Sequence, residues 1–193
     1  MKRIYFDKIV TAVGFGLAVF LVIAAGLLNW GATFAADAVG SQLEAQAITL
    51  PAETGNKKEP AEVTAFFKEN GEKIMTTGKQ AQMYADHYLG FHLSAMPAYA
   101  AASGANRAAA AALAANPNDP TLKADAAAKA GIVETVFKGT MLRGTLLTAY
   151  AFGTLGSIAA IAALVSLAGA GVMLLLSILG LLHIRRTPKD VTI

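Results

Sequence analysis

The side chains of this sequence best suited to metal or acid–base chemistry are His87, His92 and the neighbouring Asp86. Histidine nitrogens and carboxylate oxygens bind transition metals, and histidine exchanges protons near neutral pH. Two ligands on one α-helix can share a metal when they lie three or four positions apart, because such side chains lie on one face. His87 and His92 are five positions apart, and Asp86 is adjacent to His87. We therefore predict no metal site and no cofactor-binding site at these residues.

Motifs of familiar catalytic chemistry do not occur in the sequence. It has no cysteine, no Gly-x-Ser-x-Gly, no phosphate-binding glycine loop and no His-Glu-x-x-His. The third histidine, His183, follows a long apolar segment, where a histidine interacts favourably with the negative end of a helix dipole. We therefore predict no catalytic residue and a protein that is not an enzyme.

Three aromatic residues, Tyr84, Tyr88 and Phe91, recur at helical spacing within a predicted helix from Lys79 to Leu93. Such a stripe forms either an interaction surface or part of a hydrophobic core. As a surface, it would suit a partner protein or line a cavity for a lipid or small apolar ligand. Both interpretations stay open on the sequence.

The elements that position these residues follow from composition. The chain is 55% hydrophobic and 15% charged, whereas soluble domains average about 25% charged residues. Residues 9–36 and 144–182 contain no Asp, Glu, Lys, Arg or His. About 20 apolar residues cross a membrane as a helix. We predict an all-α membrane protein with transmembrane helices at residues 9–34 and 156–182.

The charges flanking these segments predict the topology. Residues 1–8 and 183–193 are rich in Lys and Arg, and short basic flanks stay in the cytoplasm. Residues 35–155 then form a helical extracytoplasmic domain. That domain has no basic stripe, so we predict no nucleic-acid partner. The location expected is the cell membrane, as a multi-pass protein with both termini cytoplasmic.

Two alternatives to this topology remain. The first apolar segment also fits a cleaved signal peptide, with small residues near Phe34. The second segment is long enough for two short spans that reverse direction at Gly169–Gly171. In the favoured arrangement, Thr145–Leu155 is instead helical outside the hydrocarbon and packs near Trp30 and Phe34.

Small residues in the apolar segments indicate close helix packing, either with each other or with another membrane protein. They recur four positions apart, and the candidate packing residues are Ala12, Gly16, Ala149, Gly153 and Ser157. The spans contain no charged residue of the kind that marks proton or ion pathways. This counts against a pump or channel formed by the chain alone.

Local signals predict the helices between the spans. Pro60 and Gly71 suit the beginning and end of one helix, and Asp119 is suited to cap another beginning at Pro120. That last helix continues into the second span with small breaks at glycines. The alanine-rich residues 94–115 form either a helix or a partly mobile segment.

The sequence resembles a family of small, uncharacterised actinobacterial membrane proteins. Four segments carry the resemblance: Leu28–Gly31 with Phe34–Ala35, Tyr84–Asp86 with His92–Leu93, Lys138–Gly144, and Leu182–Pro188. Members often carry the label of an aromatic ring-opening dioxygenase small subunit. Ring opening of that kind requires iron held by two histidines and a carboxylate, which the histidine spacing here does not supply. The resemblance implies no functional residue.

We therefore expect a non-enzymatic integral membrane protein that acts as an accessory or interaction subunit of a larger membrane or envelope assembly, with a respiratory assembly among the candidates. Its partners would be the lipid bilayer and other membrane proteins. The alternative is an extracytoplasmic binding or sensing domain for a lipid or small apolar ligand.

Overall fold

The structure is a computed structural model that describes residues 3–188. Residues 1–2 and 189–193, parts of the two predicted cytoplasmic ends, lie outside the described residues. The described chain is helical apart from loops and one isolated antiparallel bridge between Thr49 and Ile74. Its elements are α1 Arg3–Ala45, α2 Ala61–Asn70, α3 Gly78–Met83, a π-helical turn Tyr84–Leu89, α4 Gly90–Ser94, α5 Tyr99–Ala115 and α6 Pro120–Arg186.

The local helix signals are confirmed. Helix α2 lies between Pro60 and Gly71, and α6 begins at Pro120. The Asp119 carboxylate accepts hydrogen bonds from the backbone N–H groups of Thr121 (2.8 Å) and Leu122 (3.3 Å), which have no partner within the helix. Most of the alanine-rich segment is ordered as α5.

Helix α6 runs without interruption for 67 residues. The small breaks expected at its glycines do not occur. The chain also does not reverse at Gly169–Gly171, so the alternative with two short spans in this segment is wrong. A glycine in a helix interior costs about 1 kcal/mol. The neighbouring residues offset this cost, because alanine and leucine are good helix formers and valine packs well.

Two helices, α1 and α6, are long and apolar enough to cross a membrane. The mean hydropathy of their most apolar segments is 2.5 and 2.4. Those segments are mostly exposed, whereas the central helix of a soluble protein of this hydropathy would be buried. The described structure is therefore an all-helical chain with two long apolar helices that could span a membrane.

The chain divides into two compact units. The first, here called the paired-helix unit, comprises Met1–Asp37 and Thr154–Ile193. The second, the middle unit, is Ala38–Gly153. Each unit is described by itself below.

Within the paired-helix unit, α1 and α6 pack antiparallel. As α1 is followed toward its carboxyl end, the contacting residues of α6 move toward its amino end by the same number of residues to within one. The matched contacts are Thr11 with Gly180, Gly14 with Ser177, Leu21 with Gly169, and Ala35 with Gly156. This register sets residue 9 opposite residue 182, so the predicted spans 9–34 and 156–182 cover matching lengths of the pair. The span boundaries themselves stay predictions.

The contact between these two helices is built from small residues at a seven-residue repeat. Such residues let helix backbones approach closely, and a seven-residue period keeps one seam facing the partner along the whole length. The buried residues at this spacing are Thr11, Ala18, Ala25 and Ala32 in α1, and Gly156, Ala163, Ala170 and Ser177 in α6.

The core of the middle unit centres on Phe67, Leu50 and Met75, which are almost completely buried. Backbone hydrogen bonds between residues 48–50 and 72–75 close the loop that carries the last two. Residues from both long helices complete this core, including Val39, Leu43 and Leu146.

The segment Thr145–Leu155 is helical, as expected, but Leu146 does not pack where the sequence predicted. Leu146 is covered by the core of the middle unit, in the same cluster as Val39 and Leu43. Trp30 and Phe34 are instead more than 60% exposed and stack on each other, with ring centroids 5.9 Å apart. The cover for Leu146 therefore comes from a later part of α1 than the sequence suggested.

Candidate functional site

The most unusual local structure of the middle unit is the π-helical turn Tyr84–Leu89, which lies between α3 and α4. Its backbone bonds join residues five positions apart, and the N–H of Gly90 donates to the carbonyl of Ala85. Turns of this kind are rare and occur frequently at functional sites. Helix α3 leads into it from a capping box, in which Thr77 and Gln80 bond reciprocally.

Arg143 of α6 holds one side of this turn. Its Nε donates to the carbonyl of Ala85 at 3.0 Å, and its Nη2 donates to Asp86 Oδ1 at 2.9 Å. The Ala85 carbonyl thus accepts two hydrogen bonds, one from Arg143 and one from Gly90. Both side chains of the ion pair are partly exposed, so the contact orders the turn more than it stabilises the fold.

Glu59 holds the other side through His87. The Nδ1 of His87 lies 3.0 Å from Glu59 Oε2, and the Asn56 amide donates to the other carboxylate oxygen at 3.2 Å. The Glu59 side chain is only 8% exposed. Thr54, also buried, accepts a hydrogen bond from the backbone N–H of Asn56 and so shapes the loop that presents Glu59.

The π-helical turn changes the geometry assumed for His87 and His92. Residues five positions apart lie closer across such a turn than on an α-helix, so the spacing argument does not apply here. The two side chains nevertheless have separate partners. His92 donates from Nδ1 to the carbonyl of Tyr88 at 2.8 Å, and His87 faces Glu59. Within residues 3–188, no group of three or more potential ligands could hold a metal ion.

The predicted interaction residues Tyr84, Tyr88 and Phe91 have different environments. Tyr84 and Tyr88 are half-buried against the core of the middle unit, with ring centroids 4.9 Å apart. Burial raises the pKa of Tyr84 above its ordinary value, and nearby Tyr88 adds to the effect. Phe91 is exposed and lies beside Gly55, whose positive φ of 81° suits glycine.

The predicted packing residues also fall into two groups. Ala149 and Gly153 lie against Gly78, where an added Cβ would be 3.1 Å from the Ala149 carbonyl and 3.4 Å from the Gly153 Cα. Ala12 and Gly16 are exposed and lie off the seam between α1 and α6. Ser157 is also exposed, one position beyond the buried Gly156. Packing of Ala12 and Gly16 against another chain stays a prediction.

A patch of exposed apolar side chains on the middle unit was not anticipated from the sequence. It consists of Tyr99, Phe137 and Met141, which are 48%, 51% and 55% exposed. The rings of Tyr99 and Phe137 are 6.0 Å apart, and Met141 follows Phe137 by one helical turn. We call these three residues the aromatic patch. In the sequence, the four-residue spacing of Phe137 and Met141 places both on one helix face, but it does not tell whether that face is exposed or part of the core.

The polar contacts of this region set the position of the π-helical turn. Asp86 and His87 each have an ionic or hydrogen-bonding partner from another element, and these contacts hold the turn rather than leaving either group directed at a reacting atom. Comparisons with models of protein families, with curated proteins and with solved structures found no match for this chain. The argument for function therefore rests on the described residues.

Proposed function

We propose that this chain is a non-enzymatic integral membrane protein whose middle unit binds a partner protein outside the cytoplasm, as an accessory subunit of a larger membrane or envelope assembly. A respiratory assembly is one candidate. The observation that carries the proposal is the aromatic patch. Large apolar side chains exposed together on a water-facing unit cost free energy unless another surface covers them.

The antiparallel pairing of α1 and α6 supports the membrane placement. If both helices cross the bilayer, antiparallel packing sets Arg3 of α1 and Arg186 of α6 on the same side. Both flanks are basic, and this agrees with the tendency of short basic flanks to stay in the cytoplasm. The middle unit would then lie on the opposite side, and the bilayer would cover the apolar residues exposed along both helices.

The way in which the π-helical turn is held supports an interaction role over catalysis. Arg143, from α6, contacts Asp86, and Glu59, from the loop before α2, contacts His87. A turn fixed in this way presents Phe91 in one defined position on the surface, next to His92. Preformed surfaces bind partners with less loss of conformational freedom than mobile ones.

Photo-crosslinking from the aromatic patch tests this proposal. A crosslinking amino acid replaces Phe137 or Met141 in the full chain, and Lys123, exposed earlier on the same helix, serves as the matched control position. We expect one defined protein, identified by mass spectrometry, to crosslink from both patch positions and not from Lys123. A chain purified in mild detergent as a lone monomer, with equal crosslinking from all three positions, would contradict the proposal.

The alternative, a pocket for a lipid or small apolar ligand in the middle unit, has no specific observation in its favour. It was motivated by the stripe of Tyr84, Tyr88 and Phe91. Tyr84 and Tyr88 instead pack against Phe67 and its neighbours in the core. That alternative stays a prediction.

A further inference from the structure

The antiparallel pairing of α1 and α6 brings the basic residues of both helices to one end of the paired-helix unit. Asp7 lies among them, 3.9 Å from Arg3 and 3.8 Å from His183. Among residues 3–188, no acidic side chain lies within 4 Å of Lys8 or Arg185, and both are exposed. At this end of the unit, Asp7 therefore partly neutralises the face with Arg3 and His183, and the face with Lys8 and Arg185 is strongly basic.

The two basic residues share a face of the paired helices with an apolar groove. Residues seven positions apart share a face in helices that pair with a seven-residue repeat. Lys8 precedes Val22 by two such repeats, and Arg185 follows Gly171 by two. Val22 and Gly171 both line the groove. Lys8 and Arg185 therefore lie on the face that carries the groove, at its cytoplasmic end in the proposed topology.

The groove is an open depression of about 540 Å³ between the two helices. Every residue that lines it is apolar. Its floor is shallow because small residues of the helix seam form it, and longer side chains form its walls. The floor includes Ala18 and Ala170, and the walls include Val19, Val22, Leu167 and Leu174.

The distance between the basic residues and the groove matches one lipid chain. Lys8 and Val19 are eleven residues apart on α1, and so are Arg185 and Leu174 on α6. At 1.5 Å per residue, each separation is about 16 Å. An acyl chain reaches about half of the roughly 30 Å hydrocarbon core. A chain whose headgroup lies at Lys8 and Arg185 therefore ends at the near edge of the groove.

The geometry points to a binding site for one anionic phospholipid of the cytoplasmic leaflet. Lys8 and Arg185 hold its phosphate and negative headgroup, and one acyl chain runs from there to the near edge of the groove, at Val19 and Leu174. The inference rests on the proposed membrane placement of α1 and α6. A free phosphate would share the two basic residues but would have no contact with the groove, so dependence on the groove identifies the occupant as a lipid.

Native mass spectrometry of the full chain in mild detergent tests the inference. The protein is titrated with phosphatidylglycerol or with phosphatidylcholine of the same acyl chains. We expect one retained phosphatidylglycerol at concentrations where phosphatidylcholine is not retained. The double variant Lys8→Gln/Arg185→Gln should weaken this binding roughly 10- to 30-fold, as expected for the loss of two basic residues near a membrane surface.

Two matched variants separate a built site from general attraction. Arg3→Gln/Arg186→Gln removes the same charge from positions off the groove face and should leave the retained lipid in place. Leu174→Ala removes apolar contact at the near edge of the groove without touching a charge. It should weaken binding of long-chain phosphatidylglycerol and leave a short-chain form unaffected.

The inference is overturned if both charge variants weaken binding equally, if the wild type retains both lipids alike, or if Leu174→Ala has no effect on the long-chain lipid. Failure of the membrane placement has a different signature. In that case the purified chain would remain soluble and monomeric without detergent, whatever its lipid preference.

Discussion

Arg143 and Asp86 are 57 residues apart in the sequence, and their side chains meet at 2.9 Å across the middle unit. Through this contact and the bond to the Ala85 carbonyl, a residue of α6 fixes the π-helical turn. The contact therefore joins two parts of the middle unit that are distant in the sequence.

Replacing Arg143 tests its role in holding the turn. Arg143→Gln removes a charged hydrogen bond to Asp86 and one to the Ala85 carbonyl. Because both side chains of the pair are partly exposed, we expect the free energy of unfolding to fall by about 1–2 kcal/mol, measured by urea denaturation in detergent. Lys138→Gln breaks the exposed pair with Glu134 and should leave the free energy of unfolding nearly unchanged. Equal effects would argue against a special role for Arg143.

Helix packing at Gly78 predicts a sharp dependence on side-chain size. An added Cβ would meet the Ala149 carbonyl and the Tyr150 Cα, each at 3.1 Å, and backbone atoms cannot move aside cheaply. Gly78→Val should lower the free energy of unfolding by about 1–3 kcal/mol. Gly104 lies in α5 with nothing within 4 Å of an added Cβ, so Gly104→Ala should raise it by about 0.5–1 kcal/mol. Matching losses in thermal or urea unfolding would contradict this packing.

The register of the paired-helix unit can be tested by cysteine crosslinking, since the chain has no cysteine of its own. A Cβ added at Gly156 would lie 3.0 Å from the Ala35 Cβ, and disulfides need about 3.5–4.5 Å. Ala35→Cys/Gly156→Cys should therefore crosslink rapidly on mild oxidation after a small relaxation. The mismatched pair Gly16→Cys/Gly156→Cys should not crosslink within one chain. Crosslinking of only the mismatched pair would refute the register.

Burial of Tyr84 predicts a loss of stability at high pH. Its pKa is raised in the folded state, mainly because burial disfavours the phenolate. The resulting stabilisation is complete below the ordinary tyrosine pKa of about 10 and is lost as the pH rises through the folded value. In unfolding measurements across this range, the wild type should lose stability more steeply than Tyr84→Phe. Parallel pH dependence of the two proteins would show that Tyr84 is not the group responsible.

Signals that act over a few residues made much of the fold predictable. The capping of α6 by Asp119, the bounds of α2 near Pro60 and Gly71, and the two long apolar segments all follow from local sequence. The π-helical turn does not, because its fixing partner Arg143 lies far along the chain. Nothing near Tyr84–Leu89 in the sequence distinguishes this turn from an ordinary helix.

Two expectations about surfaces show where local patterns mislead. Ala12 and Gly16 follow the four-residue spacing of close helix packing, but the seam uses the seven-residue repeat that begins at Thr11 and continues at Ala18. The seven-residue repeat is also present in the sequence. It differs from the four-residue spacing only because it continues over a longer part of the helix. Likewise Tyr84 and Phe137 both sit on apolar helix faces, and only the tertiary packing decides which of them is exposed.

The central claim is that α1 and α6 cross the membrane as an antiparallel pair, with the middle unit outside and both ends of the pair in the cytoplasm. Single cysteines at Lys57 in the middle unit and at Pro188 after α6 test it most directly, using a membrane-impermeant thiol reagent on intact cells. We predict labelling of Lys57→Cys in intact cells and of Pro188→Cys only after permeabilisation. Labelling of Pro188→Cys in intact cells, or protection of Lys57→Cys there, would contradict the account.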